Sequence, residues 1–208
     1  VLYGEKDEAD PSSTDVQNKW RRLGDLALVA GDVELAQLCA TNSGDLSGML
    51  LIYAASANKE GMLELADKAK ATGRTNVAFL AFFVTGQVEQ CINLLIDTKR
   101  LPEAAFMART YMPSMMSGVL QKWKTDLKSI NEKAAEALAD PEKYPNLFPD
   151  LDWALKIESM FLEGRENFVP AIDYATAKEQ LEMNLIELVK AQADGGAAGE
   201  EKVSAEPE

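Results

Sequence analysis

Residues Thr75–Ser114 read TNVAFLAFFVTGQVEQCINLLIDTKRLPEAAFMARTYMPS. Val77–Val84 is apolar at every position. It predicts a short helix that packs neighbours on more than one side, as an inner helix of a helical stack does. Gly86 turns the chain, and Val88, Cys91, Ile92 and Leu95 then recur at the spacing of one helix face. The polar stretch Asp97–Arg100 makes the next turn. Pro102 stands at the start of a further helix, where its missing N–H costs nothing. Ala104, Ala105 and Ala108 are small enough to let that helix approach a neighbour closely, and Pro113 stops it.

Toward the N-terminus the same texture repeats. Thr14 and Gln17 form a plausible capping box, and Asp15 is well placed for the helix dipole. A helix over about Asp15–Ala30 is expected, with Val16, Trp20, Leu23, Ala27 and Ala30 on one face. Gly31 can end it and Asp32 can cap the next, whose buried face is Val33, Leu35, Ala36, Cys39 and Ala40. A third helix spans roughly Leu46–Ala57. NKEG then turns the chain into a fourth, with Met62, Leu63, Leu65, Ala66 and Ala69 inward. The hexapeptides GDVELA at Gly31, GMLELA at Gly61 and GQVEQC at Gly86 lie 30 and 25 residues apart. A unit of helix, short turn and helix cannot bury its apolar face alone, so such units stack. Strand-like alternation is nearly absent. The fold class read from this pattern is all-α, an α-solenoid of stacked helical hairpins with spacing near that of the tetratricopeptide repeat.

Beyond Ser114, Met116, Val119, Leu120, Trp123, Leu127 and Ile130 predict one long helix or two joined ones, with Lys122, Lys124, Lys128 and Lys133 on the other side. ADPEKYPNLFPDL is a proline-broken turn. Asp150 or Asp152 can start another helix with Trp153, Ile157 and Phe161 inward. The organisation expected is a flexible lead-in over residues 1–13, a solenoid segment over 14–165 and a linker over 166–173. An amphipathic helix over 174–193 and a disordered acidic tail over 194–208 complete it. The last helix has a narrow stripe of Leu181, Leu185 and Leu188, fit either to dock on the solenoid or to enter a groove in a partner.

The net charge is −13, with −4 in residues 1–15 and −4 in residues 194–208. A moderately acidic middle with scattered lysines is a poor nucleic-acid surface, because counterion release needs clustered Lys or Arg. Lys122 and Lys128 read as a solvated face or as a contact for an acidic partner or membrane surface. No apolar run approaches the length of a membrane span, no secretory signal is visible, and Val1 at the head suggests a piece of something longer or a processed product. Cys39 and Cys91 read as reduced core residues. The chain has no His, which removes the usual activator of a nucleophilic Ser or Cys and the commonest metal ligand. Asp150 with Asp152 reads as helix capping, and Glu200 with Glu201 as tail. GRTN lacks the spacing and lysine of a phosphate loop. No enzyme, cofactor, metal or small-molecule substrate is expected. Trp20, Trp123 and Trp153 fall on apolar faces and read as core before binding anchors.

Several blocks together resemble a known family: NKWRRLGDLAL with ELAQLC in 18–39, TNVAFLAFFVTGQVEQCINLLI at 75–96, TKRLPEAAFMARTYMPS at 98–114 and NEKAAEALADPEKYPNLFPDL at 131–151. The chain resembles the α-solenoid of the coatomer beta-prime subunits of the COPI vesicle coat over about residues 18–155. The resemblance implies a cytoplasmic scaffold recruited peripherally to Golgi membranes and vesicles, working in Golgi-to-ER retrieval and intra-Golgi transport. It implies pairing with the coatomer alpha subunit and contacts with other coatomer subunits. The family's cargo-recognising β-propellers precede the solenoid and have no counterpart here, so the chain looks like a carboxyl-side fragment and no cargo-binding residue carries over. From about Lys156 the resemblance stops. The alternative is a solenoid adaptor of another membrane coat or tethering complex.

Overall fold

A computed structural model describes residues 14–163 and 173–200. The expected lead-in, nearly all of the linker and tail residues 201–208 lie outside the described residues. Among the described residues every regular element is helical. The chain divides into two compact units, Val1–Cys91 and Ile92–Glu208.

The first unit contains α1 (Thr14–Ala30), α2 (Val33–Ser43), α3 (Leu46–Ala55), α4 (Lys59–Ala71), α5 (Thr75–Val84) and the start of α6 (Val88–Asp97). Consecutive helices pack as hairpins, α1 on α2, α2 on α3, α3 on α4 and α4 on α5. The turns between them share one design. The backbone enters the left-handed region at Gly31, Gly44, Ala57, Gly73 and Gly86, and again at Lys99 at the head of the second unit. These positions follow one another at steps of 13, 13, 16, 13 and 13 residues. At each, the next N–H reaches back to a carbonyl five residues earlier: Asp32 to Ala27, Asp45 to Ala40, Asn58 to Tyr53, Arg74 to Ala69, Gln87 to Phe82 and Arg100 to Leu95. This is the Schellman cap, which satisfies carbonyls that a helix end otherwise orphans. The same residue then starts the next helix. Asp32, Asp45 and Asn58 cap it through their side chains, accepting from the N–H groups of Leu35, Gly48 and Gly61. A hydroxyl just before the left-handed residue closes the helix end on its other side, as when Ser56, Thr72, Thr85 and Thr98 donate to the carbonyls of Ile52, Lys68, Ala81 and Leu94.

This geometry corrects the register of the repeat. Gly31 and Gly86 are turn residues as expected, but Gly61 lies inside the first turn of α4. It is glycine because a Cβ there would stand 3.0 Å from the ring of Tyr53. The turn is made at Ala57, and α3 ends at Ala55. The core of this unit sets small residues, Ala27, Ala36, Cys39, Ala66, Ala69, Ala78 and Ala81, beside the larger Ile52, Met62, Leu65 and Phe82. Gly24 belongs to it as well, and a Cβ on it would meet the Cβ of Cys39 at 3.1 Å. Leu23 and Val33, expected inward, are exposed. α5 meets both α4 and α3, as expected of a helix with neighbours on more than one side, but one of its edges is open. Ala78, Ala81 and Phe82 are buried, whereas Leu80, Phe83 and Val84 are exposed.

The second unit contains the rest of α6, α7 (Leu101–Tyr111), α8 (Met116–Lys128), α9 (Glu132–Ala137), α10 (Leu151–Glu163), α11 (Tyr174–Leu181) and α12 (Leu185–Glu200). Short 3-10 turns lie at Pro113–Met115 and Pro145–Leu147. α7 packs on α8 and α8 on α9, with Ala104, Ala105, Ala108, Val119, Leu120 and Ala135 buried. Pro102 lies in the first turn of α7 and Pro113 follows its end. The stretch from Met116 to Leu138 is two helices, because Asn131 takes an extended conformation and caps α9 through the N–H of Ala134. The stretch 174–193 is also two helices. α11 closes at Leu181, and the side chain of Asn184 accepts from the N–H of Ile186 to open α12. α12 runs to Glu200 and packs on α10. Phe161, expected inward, is exposed.

Candidate interaction surface

Buried polar groups in the second unit are tied down individually. Asp140 is 1% exposed. Its carboxylate accepts from the Gln121 amide at 2.6 Å and from the N–H of Glu142 at 3.2 Å, and so fixes the proline-broken turn against α8. Glu158 of α10 is also buried and accepts from both the N–H and the hydroxyl of Ser114 in the 3-10 turn after α7. Each oxygen of both carboxylates thus accepts one hydrogen bond, as buried polar groups generally do. Sequence reasoning missed both. Their only signal was an acid inside a turn and an acid on an apolar helix, and neither motif names a partner 19 or 44 residues away.

The two cysteines are free and buried. Burial pushes the Cys91 thiol up to about 11, and its Sγ donates to the Phe79 carbonyl. Cys39 is raised by burial and then by the charge of Asp32. Thiols held protonated are poor nucleophiles at neutral pH. Among the described residues no group of three or more His, Cys, Asp or Glu is placed to hold a metal ion, and no helix is long and apolar enough to cross a membrane.

What the described surface offers is area for contact. In the first unit α5 presents Leu80, Phe83 and Val84, with Phe79 and Phe83 stacked at 6.1 Å. In the second unit an open groove of about 540 Å³ runs between the α6–α7 turn and α8, lined by Ile96, Lys99, Leu101, Lys122 and Thr125 among others. Of the residues expected to meet partners, Lys122 lines this groove, and Lys128 is exposed at the end of α8. Leu181 closes α11, Leu185 is exposed at the start of α12, and Leu188 is half-buried. The helix break between them means that these three leucines do not form one continuous stripe. The three tryptophans are half-buried, with Trp123 edge-on to Phe106 and the Lys156 ammonium over Trp153.

Comparison with known proteins assigns this architecture. Residues 11–124 match the model of the COPA/B TPR domain, which covers more than half of the chain. The chain is 45% identical over 174 residues to coatomer subunit beta'-1 of Oryza sativa subsp. japonica, covering 84% of this chain and 19% of that protein. It is 44% identical over 171 residues to coatomer subunit beta'-1 of Arabidopsis thaliana, covering 82% and 19%. It is 39% identical over 191 residues to coatomer subunit beta' of Bos taurus, covering 92% and 21%. The chain therefore spans about a fifth of the length of these curated relatives. Its all-α helical hairpins are those of an α-solenoid of the TPR class, and the chain belongs to the COPA/B TPR-domain family, among the coatomer beta-prime subunits.

Proposed function

We propose that the chain is a structural scaffold element of the COPI vesicle coat, supporting Golgi-to-ER retrieval and intra-Golgi transport through contacts between subunits. Its partners are the coatomer alpha subunit and other coatomer subunits. It works in the cytoplasm, reaching Golgi membranes and COPI vesicles only as part of the assembled coat. It performs no catalysis and takes no nucleic acid or small-molecule substrate. The observation that supports this reading is the 39–45% identity to coatomer beta-prime subunits across most of the chain. A fold made of short hairpins with apolar side chains left on its surface suits such a role. Its product is the placement of surfaces, and the exposed Leu80, Phe83 and Val84 together with Lys122, Lys128, Leu181, Leu185 and Leu188 are the contacts we assign to partners.

The test is an unbiased pull-down from cytosol with residues 1–208 as bait, read by mass spectrometry. Recovery of the coatomer alpha subunit is expected, with a drop in yield when Leu80, Phe83 and Val84 are changed together to Ser. Recovery of a different coat or tethering complex in its place would overturn the identity of the partners and leave a solenoid adaptor.

A further inference from the structure

We propose that α12 is an intramolecular ligand of α10, latched by Lys190 on Asp150, and that opening the latch bares a helix-binding face on α10. Asp150 stands immediately before α10, and its backbone carbonyl accepts the N–H of Ala154. Its carboxylate reaches across 40 positions to the Lys190 ammonium at 2.6 Å. On α12 the half-buried residues include Ile186, Val189 and Lys190, which share one helix face at i, i+3 and i+4, while Leu185 and Glu187 are exposed. On α10, Trp153, Ala154 and Ile157 are half-buried and continue the face that Asp150 begins. The two stripes therefore meet with the ion pair at their edge.

This contact has the properties of a strap. No apolar side chain described on either helix is fully buried. Lys190 and Asp150 remain 40% and 50% exposed, so their attraction is modest and screened by salt. Shallow packing held by an exposed pair lies at the low end of local stability. α10 does not depend on α12 for its own position, because buried Glu158 binds the N–H and hydroxyl of Ser114. Release of α12 thus leaves α10 in place with its stripe uncovered, a surface shaped for an amphipathic helix whose basic residue meets Asp150.

The experiment uses the full chain and hydrogen exchange by mass spectrometry. Lys190→Glu places two carboxylates together, and exchange over 185–193 should rise at least threefold while 116–128 stays unchanged. The charge swap Asp150→Lys with Lys190→Glu should return 185–193 to the wild-type rate. A fluorescent peptide of residues 184–200 should bind the Lys190→Glu chain and not the wild type, and raising the salt concentration should move the wild type toward the variant. Unchanged exchange in Lys190→Glu would overturn the latch. So would failure of the swap to restore protection, equal peptide binding to both chains, or loosening of 116–128 together with 185–193.

Discussion

In Thr14–Cys91 the side-chain hydrogen bonds that shape the turns are local: Asp32, Asp45 and Asn58 accept from N–H groups three residues on, and Ser56, Thr72 and Thr85 donate to carbonyls four residues back. In Ile92–Glu208 local bonds at Asn131, Asp140 and Asn184 are joined by others that reach 19, 40 and 44 positions, from Gln121 to Asp140, Lys190 to Asp150 and Ser114 to Glu158. The first unit repeats a backbone device and fills it with small apolar residues. The second joins helices of unequal length through prolines and buried carboxylates. A repeated turn needs no long-range partner, whereas an irregular connection must be anchored by something distant, and a buried acid with three or more acceptor sites is well suited to that task.

The largest expected effect tests how one-sided the stack is at α5. Phe82 is 4% exposed and Phe83 40% exposed, although both stand in the same apolar run. Phe82→Asp buries a charge with no partner and should cost about 3–5 kcal/mol. Phe83→Asp loses the stack on Phe79 at a position that water already reaches, and should cost at most about 1.5 kcal/mol. Urea unfolding of both variants checks this, and equal losses would mean that the Phe83 edge of α5 is covered as well. The next test sets an anchor against a cap. Asp140→Ala leaves the Gln121 amide and the N–H of Glu142 without their acceptor and should cost about 2–3 kcal/mol. Asp45→Ala removes only a helix cap and should cost about 1 kcal/mol. Comparable losses would erase the distinction between the two units.

The difference also explains what could be read from residues alone. Asp32 and Gly31 were legible because cap and left-handed turn are adjacent, and Pro102 and Pro113 because proline acts on its own backbone. Helix existence was legible for the same reason, down to the small face of Ala104, Ala105 and Ala108. The repeat was legible in kind but not in register. Gly61 looks like a turn glycine, and only the position of the Tyr53 ring shows that it is a packing glycine. The better signal was the run of Ser43-Gly44-Asp45, Ser56-Ala57-Asn58, Thr72-Gly73-Arg74, Thr85-Gly86-Gln87 and Thr98-Lys99-Arg100, a hydroxyl, a left-handed residue and a polar starter. Exposure of Leu80, Phe83 and Val84 was not legible, since apolar character fixes what can be buried and not which side has a neighbour. Asp140 and Glu158 were not legible because each depends on a partner that only the folded chain supplies, and the split of 174–193 required weighing Asn184 as a cap against the leucine spacing around it.

A third test probes the close approach in the first unit. Gly24→Val places a branched Cβ where Cys39 already stands at 3.1 Å, so α1 and α2 must separate. Overpacking of this kind should cost about 1–3 kcal/mol. Alkylation of Cys39 under native conditions should rise with it, since Cys39 is fully buried in the native hairpin. A variant with wild-type stability and an unreactive Cys39 would show that the hairpin has slack and is not held by small-residue packing.

The smallest effect is the one that isolates the turn device itself. Gly31, Gly44, Gly73 and Gly86 take positive φ without a Cβ, but Ala57 takes φ of 53° with one. For an L-residue the left-handed region costs about 1–2 kcal/mol. Ala57→Gly relieves that strain and gives back part of the gain through the greater freedom of glycine in the unfolded chain. The net stabilisation should be about 0.5–1 kcal/mol, read as a rise in the urea midpoint at constant slope. Gly44→Ala should lose about 1 kcal/mol in the mirror experiment, with no contact to blame, since nothing lies within 4 Å of a Cβ there. Opposite signs at two positions 13 residues apart would establish that backbone conformation sets the step of the first unit. If Ala57→Gly were neutral, the methyl group of Ala57 would have to contribute packing equal to its strain, and the turns would differ in kind even though their hydrogen bonds are the same.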